Sequence, residues 1–206
     1  MVLPQKDDPN FLMVEGPDDK GVCVAFLLRC NLRACVHAED GYEALRETIE
    51  PRLMVKGRRA LGVVVDADES LAARWRSLQD AVAPLGYALP EQPEPAGTVI
   101  EMEGRPRLGI WLMPDNTLNG MLEDFVAVLV PNGDSLFPRA GAAVGAIPAP
   151  ERQFKDAHLP KAHIHTWLAW QAEPGRPMGQ AITKRFLDGD CAEAARFADW
   201  LRRLFG

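Results

Sequence analysis

The segment Leu61-Gly62-Val63-Val64-Val65-Asp66-Ala67-Asp68 indicates the fold most clearly, since its β-branched residues end in two aspartates two positions apart. Three consecutive valines are typical of a strand that is covered on both faces, as in parallel α/β sheets. In such sheets, functional groups collect just beyond the carboxyl ends of the strands. Two carboxylates on the same side of an extended backbone repel each other there, and a divalent cation such as Mg²⁺ would relieve that repulsion. The stretch therefore predicts a parallel sheet and two candidate metal ligands, Asp66 and Asp68.

Predicted strands and helices alternate along the first two thirds of the chain. The strands are predicted at 11–15, 34–37, 60–65, 98–102 and 108–113, and the helices at 21–29, 41–51, 71–85 and 122–130. This order indicates βαβ units and a mostly parallel, Rossmann-like α/β sheet flanked by helices. From Asp134 onward the pattern is mainly helical. We therefore expect an α/β core at 1–133 and a helical C-terminal extension at 134–206, packed together as one compact domain.

Composition limits the class of protein. The chain has 206 residues, of which 47% are hydrophobic and 25% are charged, as in an ordinary soluble globular domain. No apolar run approaches the roughly 20 residues that cross a bilayer. The N-terminal segment 1–8 lacks the basic and apolar regions of a signal peptide, so a cytoplasmic location is expected. The net charge of −6 argues against a broad basic surface for nucleic acid. This charge does not exclude an enzyme that acts on nucleic acid, because part of the negative charge could come from a cluster of metal ligands.

Acidic residues follow three of the predicted strands. They are Glu15, then Asp66 and Asp68, and then Asp115 with Glu123 and Asp124 shortly after. Because the carboxyl ends of parallel strands share one edge, these acids can converge although they are far apart in sequence. Oxygen ligands of this kind suit Mg²⁺ or Mn²⁺ rather than zinc. Two such ions would stabilise the attacking and leaving oxygens in phosphodiester cleavage.

Two of these segments together carry a resemblance to a known domain. Val14-Glu15-Gly16-Pro17-Asp18-Asp19, followed by residues 63–68, resembles the two-part signature of the TOPRIM domain. That domain is the catalytic module of topoisomerases, bacterial primases and nucleases of the OLD (overcoming lysogenization defect) type. Residues 109–116, 120–125 and 161–171 also resemble a bacterial TOPRIM-like family of unknown function. This second resemblance spans most of the chain.

The resemblance implies a set of site residues and partners. The metal ligands would be Glu15, Asp19, Asp66, Asp68, Glu123 and Asp124. Glu15 would bind metal or act as a general acid–base, and Lys161 would lie near the scissile phosphate. DNA or RNA would be the substrate and Mg²⁺ or Mn²⁺ the cofactor. Since the chain lacks the ATPase domain of OLD nucleases, coupling to ATP would need a separate partner protein, and a homo-oligomer stays open.

Each of these acids also has a structural interpretation. Asp66 and Asp68 could form a polar strand end that caps the next helix, and Asp19 could equally be a helix N-cap. Glu123 and Asp124 fall in the first turn of a predicted helix, where acids interact favourably with the helix dipole in any case.

Other polar residues have structural interpretations too. Lys161 could be a solvated helix start, and Asp115, which follows a proline, fits a turn better than a site. The histidines His158, His163 and His165 are predicted to be structural or surface residues. Their spacing is neither i, i+4 nor accompanied by a cysteine pair, as a zinc site would require.

Three functions remain as hypotheses. The first is a metal-dependent nuclease or related phosphoryl-transfer enzyme. The second is a non-catalytic binding or regulatory module that works with a separate partner such as an ATPase. The third is a phosphatase of the haloacid dehalogenase type. That family places its Asp-x-Asp motif on the first strand before Gly and Thr, whereas here the motif follows the third predicted strand and precedes Glu69-Ser70.

Overall fold

The computed structural model describes residues 8–206. The segment 1–7, which carries most of the expectation about a signal peptide, lies outside the described residues. Within residues 8–206, no helix combines the length and the apolar character that crossing a membrane requires.

A five-stranded sheet forms the centre of the molecule. Its strands are β1 Asn10–Val14, β2 Cys35–Ala38, β3 Ala60–Asp66, β4 Thr98–Ile100 and β5 Arg107–Met113. They lie in the order β2-β1-β3-β5-β4, and only β4, at one edge, is antiparallel to its neighbour. The predicted mostly parallel, Rossmann-like α/β fold is confirmed.

Eight α-helices flank this sheet in the described part of the chain. They are α1 Pro17–Arg29, α2 Tyr42–Leu53, α3 Leu71–Val82, α4 Leu122–Val128, α5 Leu136–Gly145, α6 Leu159–Ala169, α7 Met178–Thr183 and α8 Ala192–Phe205. Short 3-10 turns lie at Ala83–Leu85, Ala149–Glu151 and Asp156–His158.

The central strand β3 is covered on both faces, as its valines predict. Val64 packs into a core formed with α1 and α4–α8. Val63 and Val65 pack on the opposite face, into a core formed with α2 and α3. Since successive side chains of a strand point to opposite faces, a run of apolar residues is what a strand between two helical layers needs.

Two predicted helix ends were wrong. Helix α2 continues through Pro51 to Leu53, whose burial in the core offsets the loss of the one hydrogen bond that a backbone N–H at position 51 would donate. The helix predicted at 71–85 ends as an α-helix at Val82 and tightens into a 3-10 turn around Pro84.

The helices after residue 134 share one hydrophobic core with α1 and the sheet. Helix α8 lies directly on β3 and β5, where a Cβ atom at Gly62 or Gly109 would come within 3 Å of Leu204. A boundary at residue 133 between core and extension stays a prediction.

Helix α7 supports the start of α1 through a close contact between two glycines, and this contact can be tested. A Cβ atom at Gly179 would lie 2.2 Å from the carbonyl oxygen of Gly21. Because that obstacle is backbone, we expect Gly179→Ala to lower the free energy of unfolding by about 1–3 kcal/mol, measured by urea denaturation.

The matched control is Gly145→Ala, at the end of α5. A Cβ atom there meets no described atom within 4 Å. Alanine has the higher helix propensity, so stability should stay the same or rise slightly. Equal stability of the two variants would contradict the role assigned to the glycine contact.

Candidate metal centre

Two adjacent strands place the first two acids of the site. β1 and β3 are parallel, with Val14 paired to Val64, so the residues that follow them lie at the same edge of the sheet. Glu15 follows β1 directly, and Asp66 is the last residue of β3. The backbone N–H of Asp66 donates a 2.8 Å hydrogen bond to Oε1 of Glu15. The fold therefore brings these two predicted ligands together.

Asp66 also joins the sheet to the start of α4. Its Oδ1 accepts a 2.8 Å hydrogen bond from the backbone N–H of Leu122, the first residue of that helix. A carboxylate facing a helix N-terminus is stabilised by the free N–H groups and by the helix dipole. This contact brings the first turn of α4, with Glu123, to the same edge.

The helices α1 and α4 begin in the same way. In each, the acid at the third helical position bonds the backbone N–H of the residue before the helix. Asp19 Oδ2 accepts from Gly16 at 3.1 Å, and Asp124 Oδ2 accepts from Met121 at 2.9 Å. Asp124 thus has the capping role that its place in the first turn allowed.

Asp19 differs from Asp124 in its second carboxylate oxygen. Among residues 8–206, Oδ1 of Asp19 is buried and receives no hydrogen bond from another residue. A buried carboxylate oxygen without a donor is costly, so it marks a place where a cation would be bound favourably.

Glu123 is the most deeply buried acid of the site, with 2% of its surface exposed. Its Oε1 lies 3.1 Å from Nζ of Lys161, on α6. Burial alone would lower the pKa of Lys161, but the hydrogen bond and the charge of Glu123 raise it above its ordinary value. Lys161, which the resemblance places near the scissile phosphate, therefore lies as an ammonium group beside the acidic cluster, by which we mean Glu15, Asp19, Asp66 and Glu123.

Burial and mutual repulsion shift the acids of this cluster strongly. Burial, and then the charges of Asp19, Glu15 and Glu123, raise the pKa of Asp66 to about 8. Burial, and then the charge of Glu15, raise the pKa of Asp19 to about 7. Burial likewise raises the pKa of Glu15, although the hydrogen bond from Asp66 opposes it. These groups therefore attract positive charge, from protons or from a metal ion.

Asp68 does not extend β3 beside Asp66, which corrects the expectation that both lie on the same side of an extended backbone. Its φ of 51° is left-handed, and its backbone forms two hydrogen bonds with Gly120, at 2.8 and 2.9 Å. The turn directs the side chain, which is 48% exposed, to an ion pair with Arg74. Asp68 therefore lies at the rim of the cluster.

Arg74 is a site residue that the sequence analysis missed. Its guanidinium lies 3.6 Å from the ring centroid of Tyr42, pairs with Asp68, and offsets part of the rise that burial causes in the pKa of Glu15. No signal in the sequence places it there, because its position depends on the left-handed turn at Asp68.

Asp18 and His165 lie near Glu123, which was not predicted from the sequence, and His165 is exposed, in line with the surface interpretation. One ligand atom from each of Asp18, Glu123 and His165 lies within 4.8 Å of the other two. The spacing of Lys161 and His165, i and i+4 on α6, puts both on one helix face and could have indicated a shared role. His163 has a structural contact, as predicted: its Nε2 lies 2.7 Å from the carbonyl oxygen of Phe137, and the two rings stack.

Asp115 forms its hydrogen bonds within a turn and not with the acids of the cluster. Its Oδ1 accepts hydrogen bonds from the backbone N–H groups of Thr117 and Leu118 and from the Thr117 hydroxyl, each at 2.9 Å. This is the arrangement that a turn interpretation implies.

An open groove of about 820 Å³ runs beside the cluster. Its polar lining includes Tyr42, Asp68, Ser70, Arg74, Ser77, Asn119, Asp124, Asp156 and His158. Acids outnumber basic groups along it, so a polyanion would enter only where cations neutralise part of this charge.

Within residues 8–206, no three of Glu15, Asp19, Asp66 and Glu123 bring ligand atoms within 4.8 Å of one another, so a cation among them would have to draw these carboxylates closer together. Their chemistry suits a hard divalent cation, because they offer only carboxylate oxygens, which Mg²⁺ and Mn²⁺ prefer. Two observations support the fit: the Asp19 oxygen without a donor and the raised pKa of Asp66.

The family model described as "Protein of unknown function (DUF3226)" matches residues 9–206. Neither a curated protein nor a solved structure matches the chain.

The raised pKa of Asp66 predicts how stability depends on pH. The folded protein keeps a proton on Asp66 up to a pH of about 8, whereas the unfolded chain releases it near the ordinary value of 3.8. Without divalent cations, the free energy of unfolding should therefore fall as the pH rises from about 4 to about 8. Asp66→Asn removes this contribution and keeps an oxygen for the Leu122 N–H, so the variant should be the more stable protein at about pH 8.

Urea denaturation in EDTA, at about pH 5 and about pH 8, measures this difference. The same substitution at Asp80, an exposed acid on α3, is the matched control and should follow the wild type. If Asp66→Asn loses as much stability as the wild type between the two pH values, Asp66 is not the group that holds the proton.

Proposed function

Because the chain belongs to DUF3226, a protein family of unknown function, we propose its activity from the site: a divalent-metal-dependent phosphoryl-transfer enzyme that acts on nucleic acid, most closely comparable to an OLD-type nuclease. The observation that carries the proposal is the burial of Asp66 among Glu15, Asp19 and Glu123, which raises its pKa to about 8. A strongly perturbed group at the carboxyl edge of a parallel sheet is a candidate catalytic or metal-binding group.

Glu15, Asp19 and Asp66 would hold the cation, with Glu123 at the side of α4. Mg²⁺ or Mn²⁺ bound there would stabilise the negative charge of the phosphate oxygens during phosphodiester cleavage. The N–H groups of Asp66 and Leu122 each bond one carboxylate oxygen, of Glu15 and Asp66 respectively, and thereby orient the two groups. Such support from neighbouring donors is what keeps metal ligands in place.

Two side chains would act on the substrate directly. As the alternative to holding the cation, Glu15 would act as a general acid–base: burial raises its pKa, so its carboxyl group can take up and release a proton closer to neutral pH than an ordinary glutamate. Lys161 carries its positive charge at the edge of the cluster, where it would offset charge that develops on the phosphate. The arrangement supports the general acid–base and phosphate-binding roles that the TOPRIM resemblance assigns to these residues.

A second candidate function is favoured by Arg74. This guanidinium already brings positive charge to Asp68 and Glu15, so part of the need for a cation is met by the protein itself. A binding or regulatory module without turnover, working with a separate ATPase, would fit such internal compensation. It would co-purify with that partner and cleave nothing in the presence of Mn²⁺.

Cleavage of nucleic acid by the purified 206-residue chain tests the first candidate. We expect cleavage of plasmid, linear duplex or single-stranded DNA or RNA with Mn²⁺ or Mg²⁺, and none with EDTA. Asp66→Asn should lower the rate by at least about 10²-fold, since it removes a charge that holds the cation. Asp80→Asn, on the surface of α3, should cleave like the wild type.

Two outcomes count against the nuclease. One is that all these substrates stay intact with either metal, with and without a candidate ATPase. The other is that Asp66→Asn cleaves as fast as the wild type, which would assign the cleavage to a contaminant.

A further inference from the structure

A cluster of mixed chemistry lies next to the carboxylates of the proposed active site. Asp18, Glu123 and His165 come from three different helices, and one ligand atom of each lies within 4.8 Å of the other two. Glu123 is buried, Asp18 is half-buried, and His165 is exposed. An imidazole nitrogen and two carboxylates therefore face one small volume that is open to solvent on the His165 side.

The geometry of two helix starts explains why these acids meet. Asp18 and Glu123 are each the second residue of their helix, and each is followed by the aspartate that bonds the residue before the helix. Each capping aspartate thus uses its Oδ2 locally, while the acids at the second position face a neighbouring helix. Helix α6 packs against α4 and presents His165 to both acids.

Two further observations show that this place attracts positive charge. An ammonium group already lies there, because Nζ of Lys161, one turn before His165, is 3.1 Å from Oε1 of Glu123. The negative charges of Asp18 and Asp66 also help to raise the pKa of Lys161. In addition, the buried Oδ1 of Asp19, next to Asp18 in sequence, has no hydrogen-bond donor from another residue among residues 8–206. Its carboxylate is close enough to Glu123 for the two charges to interact.

We propose that Asp18, Glu123 and His165 form a second cation position, which takes a first-row divalent transition metal through one imidazole nitrogen and two carboxylate oxygens. Lys161 holds this position in the metal-free protein. Its side chain is about half exposed, so it can turn into solvent when a metal ion takes its place beside Glu123.

The nitrogen ligand determines which metals fit. Imidazole suits Mn²⁺, Fe²⁺, Co²⁺ and Zn²⁺ better than Mg²⁺, which prefers oxygen and keeps its own water molecules. The proposed active site offers carboxylates alone, so the two positions differ in metal preference although they share Glu123. Binding at the second position does not depend on nuclease activity.

Manganese is the probe for this position, because it is paramagnetic. Binding of Mn²⁺ to the full chain is measured by electron paramagnetic resonance of the free ion, and pulsed experiments detect a ¹⁴N nucleus bound to it. We expect a ¹⁴N signal in the wild type and its loss in His165→Ala. The affinity at this position should fall at least about tenfold, as even the loss of a supporting residue does in metal sites.

Two variants sharpen the test. His158→Ala removes another exposed histidine, which lines the groove and not the cluster, and should keep the ¹⁴N signal. Lys161→Met removes the competing ammonium group and should bind Mn²⁺ more tightly at this position, with the ¹⁴N signal retained. Both are compared with the wild type after circular dichroism has shown the same fold.

The outcomes separate this inference from the proposed function. Bound Mn²⁺ without a ¹⁴N signal, or a signal that survives His165→Ala, overturns the second position and leaves a carboxylate-only active site intact. Absence of Mn²⁺ binding overturns it as well. A ¹⁴N signal that depends on His165, in a protein that cleaves no nucleic acid, supports the second position and counts against the nuclease.

Discussion

Like-charge repulsion among buried carboxylates is the constraint on which this structure depends. The βα connections that build the parallel sheet also place Glu15 and Asp66 at the ends of neighbouring strands, and Asp19 and Glu123 at the starts of helices. Every strong contact around this edge reduces the cost of that arrangement. Backbone N–H groups bond Glu15, Asp66 and Asp19, and helix dipoles point towards the same acids.

The protein's own cations compensate only the rim of the cluster. Arg74 pairs with Asp68 on one side, and Lys161 pairs with Glu123 on the other. Between them, Asp19 and Asp66 have no ion-pair partner among residues 8–206, and the pKa values of these two acids rise furthest, to about 7 and about 8. The uneven compensation explains why the pKa values rise furthest at the centre of the cluster and not at its rim.

The matching starts of α1 and α4 divide the acids into two groups by position. The aspartate at the third helical position bonds its own helix start through Oδ2, and the acid at the second position faces across to another helix. Asp124 therefore acts as a cap and Glu123 faces the other acids, whereas Asp19 caps its helix and keeps a buried Oδ1 that has no donor among residues 8–206. The same division explains the position of His165, because the two acids at the second helical position, Asp18 and Glu123, are the ones that lie close to its imidazole.

Much of this could be predicted from local sequence. The three valines of β3 predicted a strand between two layers, and the acids after β1 and β3 predicted a shared edge, because parallel strands always end on the same side. Local patterns were less reliable at Pro51 and around residue 83, where burial of Leu53 and a 3-10 turn set the helix ends.

The parallel sheet, its alternating helices and the convergence of Glu15 with Asp66 follow from the sequence alone, because strand polarity and hydrophobic periodicity are properties of short segments. Long-range packing is what turns Asp68 away to Arg74, makes Glu123 rather than Asp124 face the other acids, and brings His165 close to Glu123. Those outcomes depend on a left-handed turn paired to Gly120 and on the packing of α6 against α4. Contacts between segments far apart in the chain leave no pattern in either segment alone.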